Sequence, residues 1–258
     1  MVKVLLMRHA ESIYNKVQSD YNTFHNITDP KFEYLPNRYI VNNQIIDSDL
    51  SELGAFQSKA VQSTLNSKYP NIKYVWVSPL RRAFNTYKIA FENYINPDHR
   101  VIVNPYIREV IWSNSDCAMY TEELQKENPK INFSFMENFE DPKIWWLHTI
   151  NEQGDTGLKQ EMINAWKADP KIESVLKVLE KVYPVKGESV ESVTARVDSE
   201  KEKLKEFIRR NGVKDEELIV ICHSSFLKRW TTTEVDENNE PVKFKWFQNA
   251  EIAPFNLV

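Results

Sequence analysis

Three short apolar runs, Val4-Leu5-Leu6-Met7, Val75-Trp76-Val77 and Leu218-Ile219-Val220-Ile221-Cys222, each end abruptly in polar residues: Arg8-His9, Ser78-Pro79-Leu80-Arg81-Arg82 and His223-Ser224-Ser225. None alternates between apolar and polar, so each reads as a parallel strand buried on both faces, and such a sheet must be covered by helices on both sides. Helical spacing between the runs supplies those helices. Ser51 caps a predicted helix with Leu53, Phe56, Ala60 and Leu65 on one face, and Ala83, Tyr87, Ala90 and Tyr94 carry the same period. Ile172, Val175, Leu176 and Leu179 mark a third, stopped by Pro184; Val190, Val193, Val197, Leu204 and Ile208 mark a long fourth that ends near Gly212. Arg100–Val103 is a further strand, and Val242–Trp246 with Ile252–Leu257 reads as a terminal hairpin or strand pair. The fold expected is α/β in three layers, α/β/α, around a mainly parallel sheet.

In such sheets ligands bind beyond the C-terminal strand ends, near a topological switch point. The polar residues that stop the runs therefore belong to one edge. Ser78 is a good N-cap and Pro79 a good first helical residue, which would put Arg82 in the first turn of a helix whose N-terminus favours an anion. Two stretches, 16–46 and 110–187, break the alternation of strand and helix. They are read as cap or lid insertions over the strand ends that set substrate choice, inside a single domain covering 1–258. Trp112, Trp145, Trp146 and Trp166 fall in the second insertion. They form either an apolar wall around a leaving group or a satellite core beneath the insertion, and the satellite core is the simpler reading.

Composition narrows the classes of function. Hydrophobic residues at 41% with seven Trp suffice for a large core, and a net charge of −4 with a pI near 5.8 provides no basic surface for nucleic acid. No apolar stretch reaches the length needed to span a bilayer, so no membrane partner is expected. Cys117 and Cys222 make no disulfide framework, and a reducing, cytoplasmic setting follows. The acceptor patterns Asn26-Ile27-Thr28 and Asn132-Phe133-Ser134 are then coincidental.

The motifs, in order, resemble those of the histidine phosphatase superfamily in its phosphoglycerate-mutase-like branch. LMRHAESIYN at 6–15 is similar to the first histidine motif, DSDLSELGAFQ at 47–57 to the segment after it, and SPLRRAFNT at 78–86 carries the second arginine. GESVESVTAR at 187–196 and VICHSSFLKR at 220–229 resemble a helix and the second histidine motif. Ala10 and Ser224 stand where that family usually has glycine. PYIREVIWSNSDC at 105–117 with FSFMENFEDPKIWW at 133–146 is similar to a group of plant and fungal phosphoglycerate-mutase-like proteins, and this places the family's proton donor on Glu109.

The resemblance implies a phosphomonoester hydrolase, a histidine acid-type phosphatase, whose His9 becomes a phosphohistidine. A histidine that attacks phosphorus must be neutral, with one ring nitrogen free and the other held by a hydrogen bond. Arg8 and Arg82 would lower its pKa and bind the phosphate dianion as forks. His223 would donate to the same oxygens, with Asn15 as a further donor. Glu109 would protonate the leaving oxygen and then activate water, with Glu11 and Glu188 as weaker candidates for that role. An ordinary ion pair between Glu109 and Arg108 is the competing reading. His25, His99 and His148 have no partners at ligand spacing, so no metal and no cofactor is expected, and the partner is a small phosphorylated substrate. No oligomeric state is implied. A phosphomutase, or a phosphate-binding scaffold without turnover, is the alternative.

Overall fold

The apolar runs form the expected strands in the computed structural model, which describes residues 2–27, 45–151, 157–183 and 187–257. In chain order the elements are β1 (Val2–Arg8), α1 (Ile13–Phe24), α2 (Glu52–Lys68), β2 (Tyr74–Val77), α3 (Arg81–Ala90) and β3 (Arg100–Val103). The second insertion carries α4 (Thr121–Glu127), α5 (Trp145–His148), α6 (Leu158–Ala168) and α7 (Ile172–Val182). Then follow α8 (Val190–Asn211), β4 (Leu218–Cys222), α9 (Ser224–Trp230), β5 (Glu234–Val235), β6 (Pro241–Lys243) and β7 (Ile252–Leu257).

The main sheet has the order β3-β2-β4-β1-β7, parallel throughout except for the antiparallel edge strand β7. The expected pairing of 242–246 with 252–257 is not what forms. β7 lies along β1, with Val2 opposite Leu257, while β6 pairs with β5. Edge pairing with the buried strand β1 gives β7 six paired positions, whereas the 242–246 segment is largely exposed.

Alternate residues of the strands feed two cores. Leu5, Met7, Val75, Val77, Ile219 and Ile221 face a core shared with α2, α3 and the second insertion. Val4, Leu6, Trp76, Leu218 and Val220 face one shared with α8 and α9. Trp145, Trp146 and Trp166 belong to the first of these cores, so they are not a satellite cluster; Trp112 packs at the border of the second. The insertion is welded to the sheet by the same apolar surface that buries the strands.

Within the 16–46 stretch residues up to Phe24 belong to α1, and 28–44 lie outside the described residues, as does Pro184. In α2 the expected face is buried only at Leu65: Leu53 is 50% and Phe56 71% exposed and Ala60 is exposed too, while Gly54 and Ser58 are buried. The reason is a close approach. A Cβ on Gly54 would lie 1.9 Å from the carbonyl oxygen of Glu11, so the small residues and not the large ones face inward. In α3 the first helical residue is Arg81, not Pro79. The Ser78 hydroxyl is 2.8 Å from His223 Nε2, and the cap comes instead from Asp47, whose Oδ1 accepts the Arg81 N–H at 3.0 Å.

The contact at Gly54 makes a prediction. Gly54→Ala forces α2 away from the segment that follows β1, and a loss of about 1–3 kcal/mol in unfolding free energy is expected in a urea titration. An unchanged midpoint would mean that the two segments separate without cost.

Candidate active site

β1, β4 and β2 end level, since Arg8 stands opposite Cys222 and Val77 opposite Ile221. The ladder runs one step further: His9 N–H donates to Cys222 O at 2.9 Å and Ser78 N–H to Ile221 O at 3.1 Å. His9, His223 and Ser78 thereby share one edge. The helix that follows β4 leaves on the opposite face from α2 and α3, so His9 and His223 emerge where the sheet's connections diverge. Their ring centroids are 5.1 Å apart.

The partners of His9 assign its tautomer. Nδ1 donates to Ala10 O at 2.7 Å, and Arg82 Nε donates to Nε2 at 3.3 Å, so Nε2 carries the lone pair. Burial, with the charges of Arg82 and Arg8 adding to it, holds the imidazole well below its usual pKa and keeps it neutral. Thr86 fixes the backbone beneath, accepting the Ala10 N–H at 2.9 Å.

The two arginines differ from expectation. The Arg82 fork is committed inward: Nη1 donates to Ser115 O at 2.6 Å and Nη2 to Asp116 Oδ1 at 2.7 Å, leaving Nε as the edge turned to His9. Arg8 is 8% exposed; its Nη1 donates to Phe247 O at 3.0 Å, and its Nε is buried without a partner. Burial brings its pKa down to about 10, which still leaves it cationic at neutral pH.

His223 is fully buried, with Nε2 on Ser78 and Nδ1 unpartnered. Burial and then Arg82 keep it neutral as well. Next to it, Glu109 receives four donors: Val110 N–H (2.9 Å) and Phe226 N–H (3.1 Å) on Oε1, Ser224 Oγ and Ser225 N–H (both 3.2 Å) on Oε2. Burial first and Asp116 second raise its pKa, against the pull of Arg82 and the backbone donors. Ser224, in place of the family's glycine, thus supplies a hydroxyl to this carboxyl, and neither it nor Ala10 has a positive φ that would call for glycine.

Arg108 does not pair with Glu109. It binds Glu188, Nη1 to Oε2 at 2.8 Å, and Arg196 Nη2 reaches the same oxygen at 3.2 Å. Arg108 Nη1 and Arg196 Nη1 also hold the carbonyls of Glu109 and Arg108, which fixes the backbone that carries Glu109. Burial would raise the Glu188 pKa, but the two guanidinium charges outweigh it and hold the carboxyl near 2. A group so placed has no proton to give, which removes Glu188 as an acid. Glu11 accepts from Ser51 Oγ at 2.6 Å. Asn15 closes a capping box with Ser12, and Asn249 bridges its Oδ1 (3.5 Å) to the carbonyl of His9 (3.2 Å).

The other histidines are elsewhere. His99 sits among Tyr87, Phe91 and Tyr94, His148 stacks on Phe139, and His25 packs on Tyr21. Among the described residues, no group of three or more His, Cys, Asp or Glu could hold a metal ion. Asp116, Ser115 and Asn249 are site residues that sequence reasoning missed. Ser113-Asn114-Ser115-Asp116 reads as a capping box, and it is one, but that signal does not reveal that Asp116 also holds Arg82.

A sequence profile of the histidine phosphatase superfamily, branch 1, matches residues 4–154. A Schizosaccharomyces pombe protein described as a probable phosphatase is 32% identical over 97 residues, 37% of this chain and 44% of that protein, so the match spans less than half of the relative's length. Among solved structures, phosphoglycerate mutase from Bacillus anthracis covers 98% of this chain and 86% of its own at 14% identity, with a TM-score of 0.51. Mycobacterial glucosyl-3-phosphoglycerate phosphatase, solved with VO3, covers 98% and 90% at 16% identity, also with a TM-score of 0.51. Both share this fold.

The Arg108–Glu188–Arg196 cluster can be tested by pH. The folded pKa of Glu188, about 2, lies below its ordinary value of 4.5, so its stabilisation is present above pH 4.5 and is lost as pH falls toward 2. Glu188→Gln leaves two buried guanidinium groups without a countercharge and is expected to cost about 3–5 kcal/mol at neutral pH. The deficit should shrink between pH 4.5 and 2, and parallel stability curves for the two proteins across that range would contradict the assignment.

Proposed function

The chain belongs to the histidine phosphatase superfamily, and from that membership we propose that it is a phosphomonoester hydrolase of the histidine acid type, working through a phosphohistidine on His9. The observation that carries the reading is the unprotonated His9 Nε2, buried against Arg82 Nε and within the field of the Arg8 guanidinium. Nε2 attacks phosphorus, a P–N bond forms, and the ester P–O bond breaks. The incoming phosphate must first displace the Arg82 Nε contact, because that contact uses the lone pair that attacks. Arg82, Arg8 and His223, with Asn15 as a further donor, then hold the charge on the equatorial oxygens.

Glu109 protonates the departing oxygen, a role that typically contributes about 10²- to 10⁴-fold. Its raised pKa supports this. The backbone N–H groups facing it can only donate, whereas the Ser224 hydroxyl can turn and accept, so Ser224 is the group that adapts when Glu109 holds a proton. Deprotonated Glu109 next takes a proton from water, whose oxygen attacks phosphorus; the P–N bond breaks and inorganic phosphate leaves. A mutase would use the same phosphoenzyme with a second hydroxyl as acceptor, and incubation with a phosphorylated metabolite separates the two by yielding free phosphate or a positional isomer. Residues 1–258 act as one domain, with the 16–46 and 110–187 stretches setting substrate choice. The buried free thiols of Cys117 and Cys222 support a cytoplasmic setting.

His9→Ala is expected to abolish both aryl phosphate hydrolysis and the acid-labile phosphoenzyme, and turnover that persists in this variant would refute the mechanism. Glu109→Gln should be slowed severely on an alkyl phosphate, whose alkoxide needs a proton, yet release a burst of phenol from an activated aryl phosphate before a slow steady state. Equal small effects on both substrates, without a burst and with unchanged melting, would reduce Glu109 to a structural neighbour.

A further inference from the structure

Beside the anion site lies a cleft of about 620 Å³, within the size range of small-molecule sites, and its lining is unusual in chemistry. Asn15, Gln18, Asn22 and Asn26 succeed one another at helical spacing along α1 and just past its end, and Asn249 faces them. An exposed helix face ordinarily carries Lys and Glu. Here the Lys16–Asp20 ion pair is no part of the lining, and the side turned to the cleft carries amides together with the hydroxyls of Ser19 and Thr23. Two buried polar atoms on the lining have no partner: the donor Arg8 Nε and the acceptor Asn22 Oδ1. An unpaired buried polar atom is costly, and a small rotation of either side chain toward the cleft would let an occupant pair with it.

We propose that this cleft holds the leaving group of the substrate, and that this group is neutral and rich in hydroxyls, as in a sugar or polyol phosphate. The proposal rests on the phosphomonoesterase reading and specifies its substrate class. A hydroxyl can donate to Asn22 Oδ1 and exchange hydrogen bonds with the other amides. A carboxylate can only accept, and it would meet Glu11, the one acidic residue among the described residues of the lining, while Arg8, the one cation among them, is taken up by the phosphate. An alkyl chain would leave Asn22 Oδ1 buried and unpaired.

Calorimetric titration of His9→Ala separates the possibilities without relying on turnover. The ligands are sorbitol 6-phosphate, hexyl phosphate, 3-phosphoglycerate and inorganic phosphate. Sorbitol 6-phosphate is expected to bind at least about tenfold tighter than hexyl phosphate or 3-phosphoglycerate, the yield of one or two net hydrogen bonds. Adding Asn22→Ala should remove most of that advantage. If hexyl phosphate or 3-phosphoglycerate binds as well as the polyol ester, or if the preference survives Asn22→Ala, the proposal falls. Should either variant not fold, the same ranking is read from kcat/KM of the wild-type protein. Turnover of an aryl phosphate by the wild type tests hydrolysis separately: a protein silent there that still prefers the polyol ester keeps the cleft assignment and loses the catalytic one.

Discussion

One buried carboxylate, shared by two arginines, holds the parts of this molecule in register. Glu188 stands at the end of the second insertion and the start of α8, and its bonds to Arg108 and Arg196 tie that junction to the segment after β3. Taking one anion and two cations out of water is expensive, and a hydrophobic trio could pack there at less cost. What the cluster does in addition is orient backbone. The remaining guanidinium N–H groups hold the carbonyls of Tyr106, Arg108 and Glu109, so the loop that presents the Glu109 carboxyl has few conformations left.

The same economy governs the pocket above it. A phosphate site needs cations, yet free arginines beside a neutral histidine would repel one another and wander. Arg82 is anchored by Asp116 and by the carbonyl of Ser115 with its Nε on His9, and Arg8 is anchored by the carbonyl of Phe247 with its Nε left unpaired. Both histidines are neutral because burial and the arginines act in the same direction. Asp116 comes from the second insertion, so that insertion supplies the anchor of Arg82. Its tryptophans share a core with β1, β2 and β4, and it cannot lift away as a unit without exposing that core.

The order of the strand motifs was legible because each is a local signal: an apolar run, a stop, and a histidine or arginine at the stop. Register then brings His9, His223 and Ser78 to one edge with no further information, and Arg82 follows from the helix that begins just beyond. The capping residues were read less well. Ser78 looked like a cap, but a cap is chosen by what lies near in space, and Asp47 reaches Arg81 from 34 residues away. Leu53 and Phe56 looked buried because apolar residues usually are, yet a glycine on the same helix decides which side can come close.

Sequence by itself determined the fold class and the strand edge at which His9 and His223 stand, with Arg82 in the helix just beyond, since these follow from periodicity and from motifs a few residues long. Only the tertiary structure decided how those groups are placed: which arginine edge faces the histidine, that Arg108 belongs to Glu188 and not to Glu109, that Ser224 serves the Glu109 carboxyl, and that the amides of α1 share a cleft with Arg8. The physical reason is separation along the chain. Arg82 and Asp116, Arg108 and Glu188, and Glu109 and Ser224 are 34, 80 and 115 residues apart, and a hydrogen bond at such a distance is set by packing and leaves no local trace in the residues that make it.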